Sequence, residues 1–394
     1  MKKVFFIGLS MLFVCCAAAQ NKSVVAMKQL IDENFLFAQK QYKVLMLKTP
    51  LDSMPKTFEK GKNINSDIYW WCSGFYTGTL LYIFEGTKDS NMLNEAKIRL
   101  NLLDTLKNFT ETHDLGFMMF CSFGNAYRLT KNPYYKEVII KSANSLATRY
   151  RPIAKIIQSW PASVKFNCPV IIDNMMNLEM LEWAAQNGGT NILHQIAINH
   201  SNTTLANQFR KDYSCYHVVD YDTKTGAVNK KMTAQGYANE SAWARGQSWA
   251  LYGYITMYRF TKNNVYLKQA KQVAEFILHN HNLPDDGVPY WDFDAPDIPN
   301  ALRDVSSAAI NASALLELGQ YVGSKDSKQY IDFSEKVLKS LSTDKYRAKI
   351  GENGGYLLKH CVGSIPHKVE IDVPLTYADY YFMEALLRYK QWYL

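Results

Sequence analysis

Residues Ala244–Ile277 read ARGQSWALYGYITMYRFTKNNVYLKQAKQVAEFI, and this stretch decides the fold. Its first half is apolar and aromatic on nearly every side, the composition of a helix buried all round. Thr261-Lys262-Asn263-Asn264 breaks the run. In the second half Tyr266, Ala270, Val273 and Ile277 recur at helical spacing, with Lys268, Lys271 and Glu275 off the stripe. That helix therefore buries one face only. An Asn in the turn can cap it.

The unit repeats. Thr87-Lys88-Asp89-Ser90, Thr130-Lys131-Asn132-Pro133 and Ser324-Lys325-Asp326-Ser327 are the same short turn, and Gly188-Gly189-Thr190-Asn191 serves at a fifth place. Apolar runs fall near residues 74–85, 116–129, 174–186, 243–260, 305–320 and 376–390. Amphipathic partners fall near 91–109, 133–150, 191–210, 264–281 and 327–341, and a sixth near 23–46 closes the ring. Two-helix units recurring around a circle predict an all-α protein, an (α/α)6 barrel of six inner and six outer helices over residues 20–394. No heptad is sustained past the turns, which excludes a coiled coil. The chain is long for one domain, but a closed ring cannot be cut in half. Only Tyr216–Val228, turning at Gly226, reads as a hairpin.

The N-terminus reads as an address. Lys2 and Lys3 precede an apolar run from Val4 to Cys16, and Ala17-Ala18-Ala19 offers small residues for cleavage. Residues 1–19 are expected to be a signal peptide and the protein to be exported to the periplasm. Lipid anchoring through Cys15 or Cys16 fits less well, because Val14 or Cys15 stands where a small residue is preferred. The run is too short to span a bilayer with comfort. Losing Lys2 and Lys3 lowers the formal charge of +8 by two. The remaining excess, without a long basic block, suits an acidic small substrate and does not argue for nucleic acid. Beyond the leader stand Cys72, Cys121, Cys168, Cys215 and Cys361, odd in number, widely spaced and without a CxxC. Neither a disulfide framework nor a zinc site is indicated, and buried thiols are expected.

The candidate chemistry begins in Phe166–Gln186, FNCPVIIDNMMNLEMLEWAAQ. Asp173 stands between Val170-Ile171-Ile172 and Met175-Met176, where lost hydration raises a carboxyl pKa. An acid that keeps its proton near neutrality is what general-acid catalysis requires. The competing reading is a helix N-cap, and on this stretch alone the cap is favoured. Convergence reverses that preference. Trp71 precedes the first inner run, Asp114 precedes the second, Asp173 begins the third, and Arg245, Gln247 and Trp249 lie in the first turns of the fourth. Inner helices of such a barrel run the same way, so these residues gather at one mouth, where helix N-termini favour an anion.

At these residues a family becomes recognisable. THDLGF, IIDNMMNLEML, YHVVDYDTKTG, ARGQSWALYG and DVPLTYADYYFMEALLR together resemble glycoside hydrolase family 88, the unsaturated glucuronyl hydrolases, in order and spacing from about Trp71 to the C-terminus. The resemblance implies the same (α/α)6 barrel. It implies removal of a 4,5-unsaturated uronic acid from the non-reducing end of oligosaccharides left by polysaccharide lyases. It places the acid/base on Asp173, the second essential carboxylate on Asp114, and substrate contacts on His217, Gln235, Arg245 and Trp249. The implied chemistry protonates C4 of the enol-ether double bond and adds water at C5, so no covalent glycosyl-enzyme forms and carboxylate spacing does not report stereochemistry. No metal, cofactor or obligatory protein partner is expected; the partner is an unsaturated uronic-acid oligosaccharide.

Residue types fit these roles. Arg245 offers a planar fork for the uronic carboxylate. Trp71 and Trp249 are able to stack on a sugar ring, although aromatics at helical spacing are more often plain core. His217, unassigned without the resemblance, and Gln235 offer hydrogen-bond donors. Lys359, His360, Ser364 and Lys368 are candidates for meeting a sulfate. Asp292, Asp294 and Asp297, in WDFDAPD, lack the Gly and terminal Glu of a calcium loop and are expected in a loop over the mouth. GENGG, Gly351–Gly355, lacks the context of a phosphate loop. Three rivals share the barrel. The first is a hydrolase of unsaturated galacturonic acid from rhamnogalacturonan. The second is a non-catalytic sugar binder, disfavoured by the intact Asp114 and Asp173. The third is an epimerase, which would want paired mouth histidines.

Overall fold

The computed structural model describes the backbone of residues 4–394 and side chains from residue 24 onward. The expected leader, residues 1–19, lies outside the residues whose side chains are so described. Helices alternate between an outer and an inner ring. Outer α1 (Val4–Lys48) precedes inner α2 (Ser73–Thr87) and outer α3 (Ser90–Leu103). The second inner element is a π-helix (Gly116–Gly124) running into α4 (Asn125–Thr130), followed by outer α5 (Pro133–Ala147). Inner α6 (Asn174–Gln186) pairs with outer α7 (Asn191–Asn207), and inner α8 (Ala244–Thr261) with outer α9 (Asn264–Leu278). Inner α10 (Val305–Leu318), outer α11 (Ser324–Leu341) and inner α12 (Thr376–Tyr393) complete the ring. This is the (α/α)6 barrel expected from the repeat.

The two rings differ as their sequences do. Every residue of α10 is buried, whereas α9 buries Tyr266, Gln269, Ala270, Val273, Ala274 and Ile277 along one stripe. The recurring turn works by one device. The Thr87 hydroxyl donates to the Ile83 carbonyl, Lys88 takes a left-handed conformation, and the Asp89 side chain accepts from the Asn91 amide to cap α3. Thr130-Lys131-Asn132 and Thr261-Lys262-Asn263 repeat the device before α5 and α9. The fourth turn departs from expectation. Ser324 already belongs to α11, with Gly323 in the N-cap position.

Two further departures bear on the site. The run 116–129, expected to be one α-helix, opens as a π-helix. Nine residues at this wider pitch shift the side chains ahead of them relative to the rest of the helix, and π-type turns gather at functional sites. Hairpins are also more numerous than the single one expected. β1 (Met54–Glu59) pairs with β2 (Lys62–Ser66), and β3 (Tyr150–Arg151) with β4 (Ile156–Ile157). β5 (Cys168–Ile171), β6 (Val218–Tyr221) and β7 (Val228–Met232) form a three-stranded antiparallel sheet, and β8 (Cys361–Ser364) pairs with β9 (Val369–Val373). These strands are short, and several carry Lys, Asn and Asp where alternation would want apolar residues, so periodicity alone passes over them. β5 and β9 run directly into the N-terminal ends of α6 and α12, and so frame the mouth.

Among the described residues, no helix is long and apolar enough to cross a membrane. The five cysteines named above are free thiols, four of them buried.

Candidate active site

Asp173 occupies the N-cap position of α6, yet its backbone is helical (φ −56°, ψ −28°) and its side chain caps nothing. The cap reading therefore fails on geometry. The carboxyl is held in the mouth by its neighbours: β5 delivers the chain to it, and the Ile172 amide is fastened to the His217 carbonyl at 3.0 Å. Burial pushes Asp173 up to about 7, and an ionised Asp114 would add to the rise; Arg245 and the Trp249 indole N–H pull the other way.

Asp114 reaches the same place from the turn that leads into the π-helix. Gly116 is what permits it. A Cβ there would lie 2.5 Å from the Cα of Asn177 on α6, so only glycine lets the two elements pack this closely. Asp114 is likewise raised by burial to about 7, against the opposing pull of Thr112, Asn177 and Arg149. The Thr112 hydroxyl donates to Asp114 Oδ2 at 3.3 Å, and His113 Nε2 lies 3.2 Å from Oδ1.

His217 stands one residue before β6, with Nε2 3.7 Å from Asp173 Oδ2. Its Nδ1 accepts from the amides of Ala234 and Gln235, both at 3.1 Å, which ties the loop after β7 to the site. The Gln235 side chain donates to the Gly363 carbonyl of β8 at 3.3 Å.

Two expectations are revised. Arg245 does not present an open fork. Nη1 donates to Asp304 Oδ2 at 2.9 Å and also to the Val362 carbonyl, and Nη2 donates to the Gly363 carbonyl at 2.7 Å. A fully buried cation needs such a partner, and Asp304, capping α10, supplies it. Arg245 thus anchors the β8–β9 hairpin and biases Asp173 by its charge. Trp249 is fully buried, packed on Phe117 and Tyr381 at centroid distances of 5.1 and 5.5 Å, and has no face free for a sugar. Its contribution is the indole N–H toward Asp173. Trp71, only partly buried, lies against Tyr377 at 4.9 Å and remains available as a wall. Gln247 is structural, accepting from the Cys215 amide at 2.8 Å.

The mouth is marked by polar atoms left without partners. Asp173 Oδ2, His217 Nε2 and the Tyr377 hydroxyl are all buried and unpaired. Buried polar groups are satisfied nearly everywhere in native proteins, so such a gathering marks a ligand site. His113, Asn177, Asp304 and Tyr377 were not singled out from sequence. His113 adjoins Asp114, and Asn177 lies one turn beyond Asp173, so helical spacing carried that signal; Asp304 had none.

Outlying candidates resolve simply. Asp292 accepts from the Tyr237 amide and the Ser241 hydroxyl, at 2.8 and 2.7 Å, and Asp294 from the Ala242 amide, so they knot loops together. Lys359 donates to the Asp344 carbonyl, His360 pairs with Asp372, and Ser364 with His367, so of the four sulfate candidates only Lys368 has no such tie. Among the described residues no cluster of His, Cys, Asp or Glu is arranged to hold a metal.

The sequence profile of Glycosyl Hydrolase Family 88 matches residues 47–393. An unsaturated glucuronyl hydrolase of Formosa agariphila is 48% identical over 320 residues, covering 81% of this chain and 79% of its own. An unsaturated chondroitin disaccharide hydrolase of Streptococcus pyogenes serotype M1 is 34% identical over 329 residues, covering 82% of each chain. Among solved structures, an unsaturated glucuronyl hydrolase specific for heparin superposes with a TM-score of 0.89 at 42% identity, covering 92% of this chain and 97% of its own.

Proposed function

The chain belongs to glycoside hydrolase family 88, and from that premise we propose that its mouth releases a 4,5-unsaturated glucuronic acid from the non-reducing end of lyase-generated glycosaminoglycan oligosaccharides. The observation that carries this reading is the pair of buried carboxyls, Asp173 and Asp114, both held near 7 amid unpaired polar atoms. Asp173 gives its proton to C4 of the enol ether, leaving positive charge shared by C5 and the ring oxygen. The resulting carboxylate takes a proton from water as that water bonds to C5. The hemiketal opens, C1 becomes a hemiacetal, and the remaining sugar departs as an alcohol. Asp173 ends as it began, protonated.

Roles around it follow from position. Trp71 walls the sugar, His217 Nε2 and the Gln235 side chain donate to its oxygens, and Trp249 N–H steadies Asp173 once it has lost its proton. The relatives' names span heparin and chondroitin disaccharides, so the accepted linkage is read by a panel of unsaturated disaccharides.

The chemistry is tested in D2O. Water attack at C5 requires the alkene, so the released keto acid should carry deuterium at C4, and saturated glucuronides should inhibit weakly without being cleaved. Product lacking C4 deuterium, or efficient cleavage of a saturated glucuronide, returns Asp114 and Asp173 to an ordinary paired-carboxylate mechanism.

A further inference from the structure

Each carboxyl of the pair faces a histidine, and backbone contacts fix those two rings in opposite senses. His113 Nδ1 lies 2.8 Å from the Ser159 carbonyl oxygen, which only accepts, so Nδ1 carries the hydrogen. Arg149 donates to that same oxygen at 3.1 Å, and burial together with the Arg149 charge disfavours an imidazolium, taking His113 down to about 3. Nε2 is therefore a bare lone pair, 3.2 Å from Asp114 Oδ1. An ionised Asp114 would set lone pair against lone pair. A protonated Oδ1 makes a hydrogen bond instead, and leaves Oδ2 as the carbonyl oxygen that accepts from Thr112.

His217 is the reverse case. Two backbone amides donate to Nδ1, so that nitrogen is bare and Nε2 carries the hydrogen. Burial and Arg245 keep this ring neutral too. What it turns toward Asp173 Oδ2 is an N–H, at 3.7 Å.

We propose that His113 and His217 are positioning residues of opposite tautomer, which keep a proton on Asp114 throughout and leave Asp173 as the carboxyl that loses and regains its own proton in turnover. This rests on the chemistry proposed above for Asp173. Its consequence is division of labour. A pinned, neutral Asp114 neither competes for the proton nor repels the Asp173 carboxylate that forms when C4 is protonated. The other charged groups facing the pair are Arg149 beside Asp114 and Arg245 beside Asp173; His367 adds to the field at His217. Both arginines favour ionisation, so the selective element is the histidine lone pair.

The test reads tautomers directly. Full-length protein labelled with 15N-histidine, assigned through His113→Gln and His217→Gln, should show hydrogen on Nδ1 alone in His113 and on Nε2 alone in His217 at neutral pH. A His113 with hydrogen on Nε2, or on both nitrogens, overturns the proposal. Infrared spectra above pH 8, where Asp173 has ionised, should keep a protonated-carboxyl band that Asp114→Asn removes; absence of that band in wild type overturns it as well. In kinetics, His113→Gln frees Asp114 to ionise, and the added like charge should move the alkaline limb of kcat/KM upward by about one unit. The kcat should fall at least tenfold with KM little changed, and an unmoved limb would reduce His113 to a structural role. If His113→Gln does not fold, the wild-type spectra still decide. Correct tautomers with an active Asp173→Asn would sink the proposed chemistry and spare the pairing.

Discussion

The two ends of the barrel use the same residue types to opposite effect. At the base, the C-terminal ends of the inner helices surround a cavity of about 600 Å³ lined by Trp183, Glu179, Arg259, Glu317, Glu384 and Arg388. Its charges are matched. Arg259 makes a bidentate pair with Glu317 at 2.6 Å and also binds Glu179; Arg388 reaches Glu317 at 3.2 Å and donates to the Tyr252 hydroxyl at 2.7 Å. Glu384 accepts from Tyr82, Tyr252 and Ser313. At the mouth the polar atoms are buried and left open. The arginines of the base overcome burial and hold Glu317 down at about 2, whereas Asp173 stands at about 7. At the mouth, unpaired polar atoms stand beside two carboxyls raised by burial, and for polar chemistry that conjunction is a better guide than a cavity.

The sharpest way to break this contrast is to remove a proton from one end. Asp173→Asn should lower kcat by roughly 10²–10⁴-fold, the usual worth of a general acid–base group. Substrate binding and folding should survive, because the amide keeps the shape. Loss of the conjugated-alkene absorbance of an unsaturated disaccharide reports the rate. A variant within about tenfold of wild type, ~1.4 kcal/mol in barrier, would remove Asp173 from the mechanism.

The base should answer the matching experiment with stability. Glu317→Gln leaves Arg259 and Arg388 buried with less charge to face, a change that typically costs ~3–5 kcal/mol. Thermal melting should show a large fall in Tm, while kcat, assayed well below the new Tm, stays near wild type. A kcat loss as large as that of Asp173→Asn would mean that the base takes part in chemistry.

How much of this was legible beforehand follows from the kind of signal each feature leaves. The barrel was legible because TKNN-type turns and alternating all-round and one-faced helices are local patterns. That Asp173 and Asp114 meet at one mouth was legible once their places at helix starts were compared. The commitment of Arg245 to Asp304 was not, since its partner lies 59 residues on and a buried Arg–Asp pair has no local signature. The burial of Trp249 was not legible either, because composition cannot tell an aromatic that faces a sugar from one beneath the floor. The π-helix also left no mark, since its pitch is set by packing against α2 and α6.

Proton affinity separates the ends a second time. A general acid raised to about 7 by burial is protonated below that pH, so kcat/KM should be flat on the acid side and fall about tenfold per unit above it. Stability follows the same sign. The folded value exceeds the unfolded one, near ~3.9, so the contribution is fully present below the unfolded value and lost as pH rises through about 7. Wild type should therefore lose, between pH 6 and pH 8, on the order of 1 kcal/mol that Asp173→Asn does not lose. Melting both proteins across that interval checks it, and parallel curves would mean that Asp173 is not the group that ionises.

The smallest expected effect concerns Trp249, and it isolates the floor of the mouth from the carboxyls above. Its indole N–H favours the ionised form of Asp173, the weakest of the named influences on that group. Trp249→Phe removes the donor and keeps an aromatic ring against Phe117 and Tyr381. Asp173 should then hold its proton more tightly, and the alkaline limb should move upward by less than about one unit, ~1.4 kcal/mol. Because a tighter-held proton is also a slower one to give, kcat on the acid plateau should fall several-fold while KM stays put. The smaller ring leaves space in a packed floor, so some loss of Tm is expected and the assays belong well below it. A Trp249 that instead stacked on the sugar would raise KM and leave the limb where it was. The pH profile and the KM together therefore decide between an aromatic that serves the acid and one that serves the substrate.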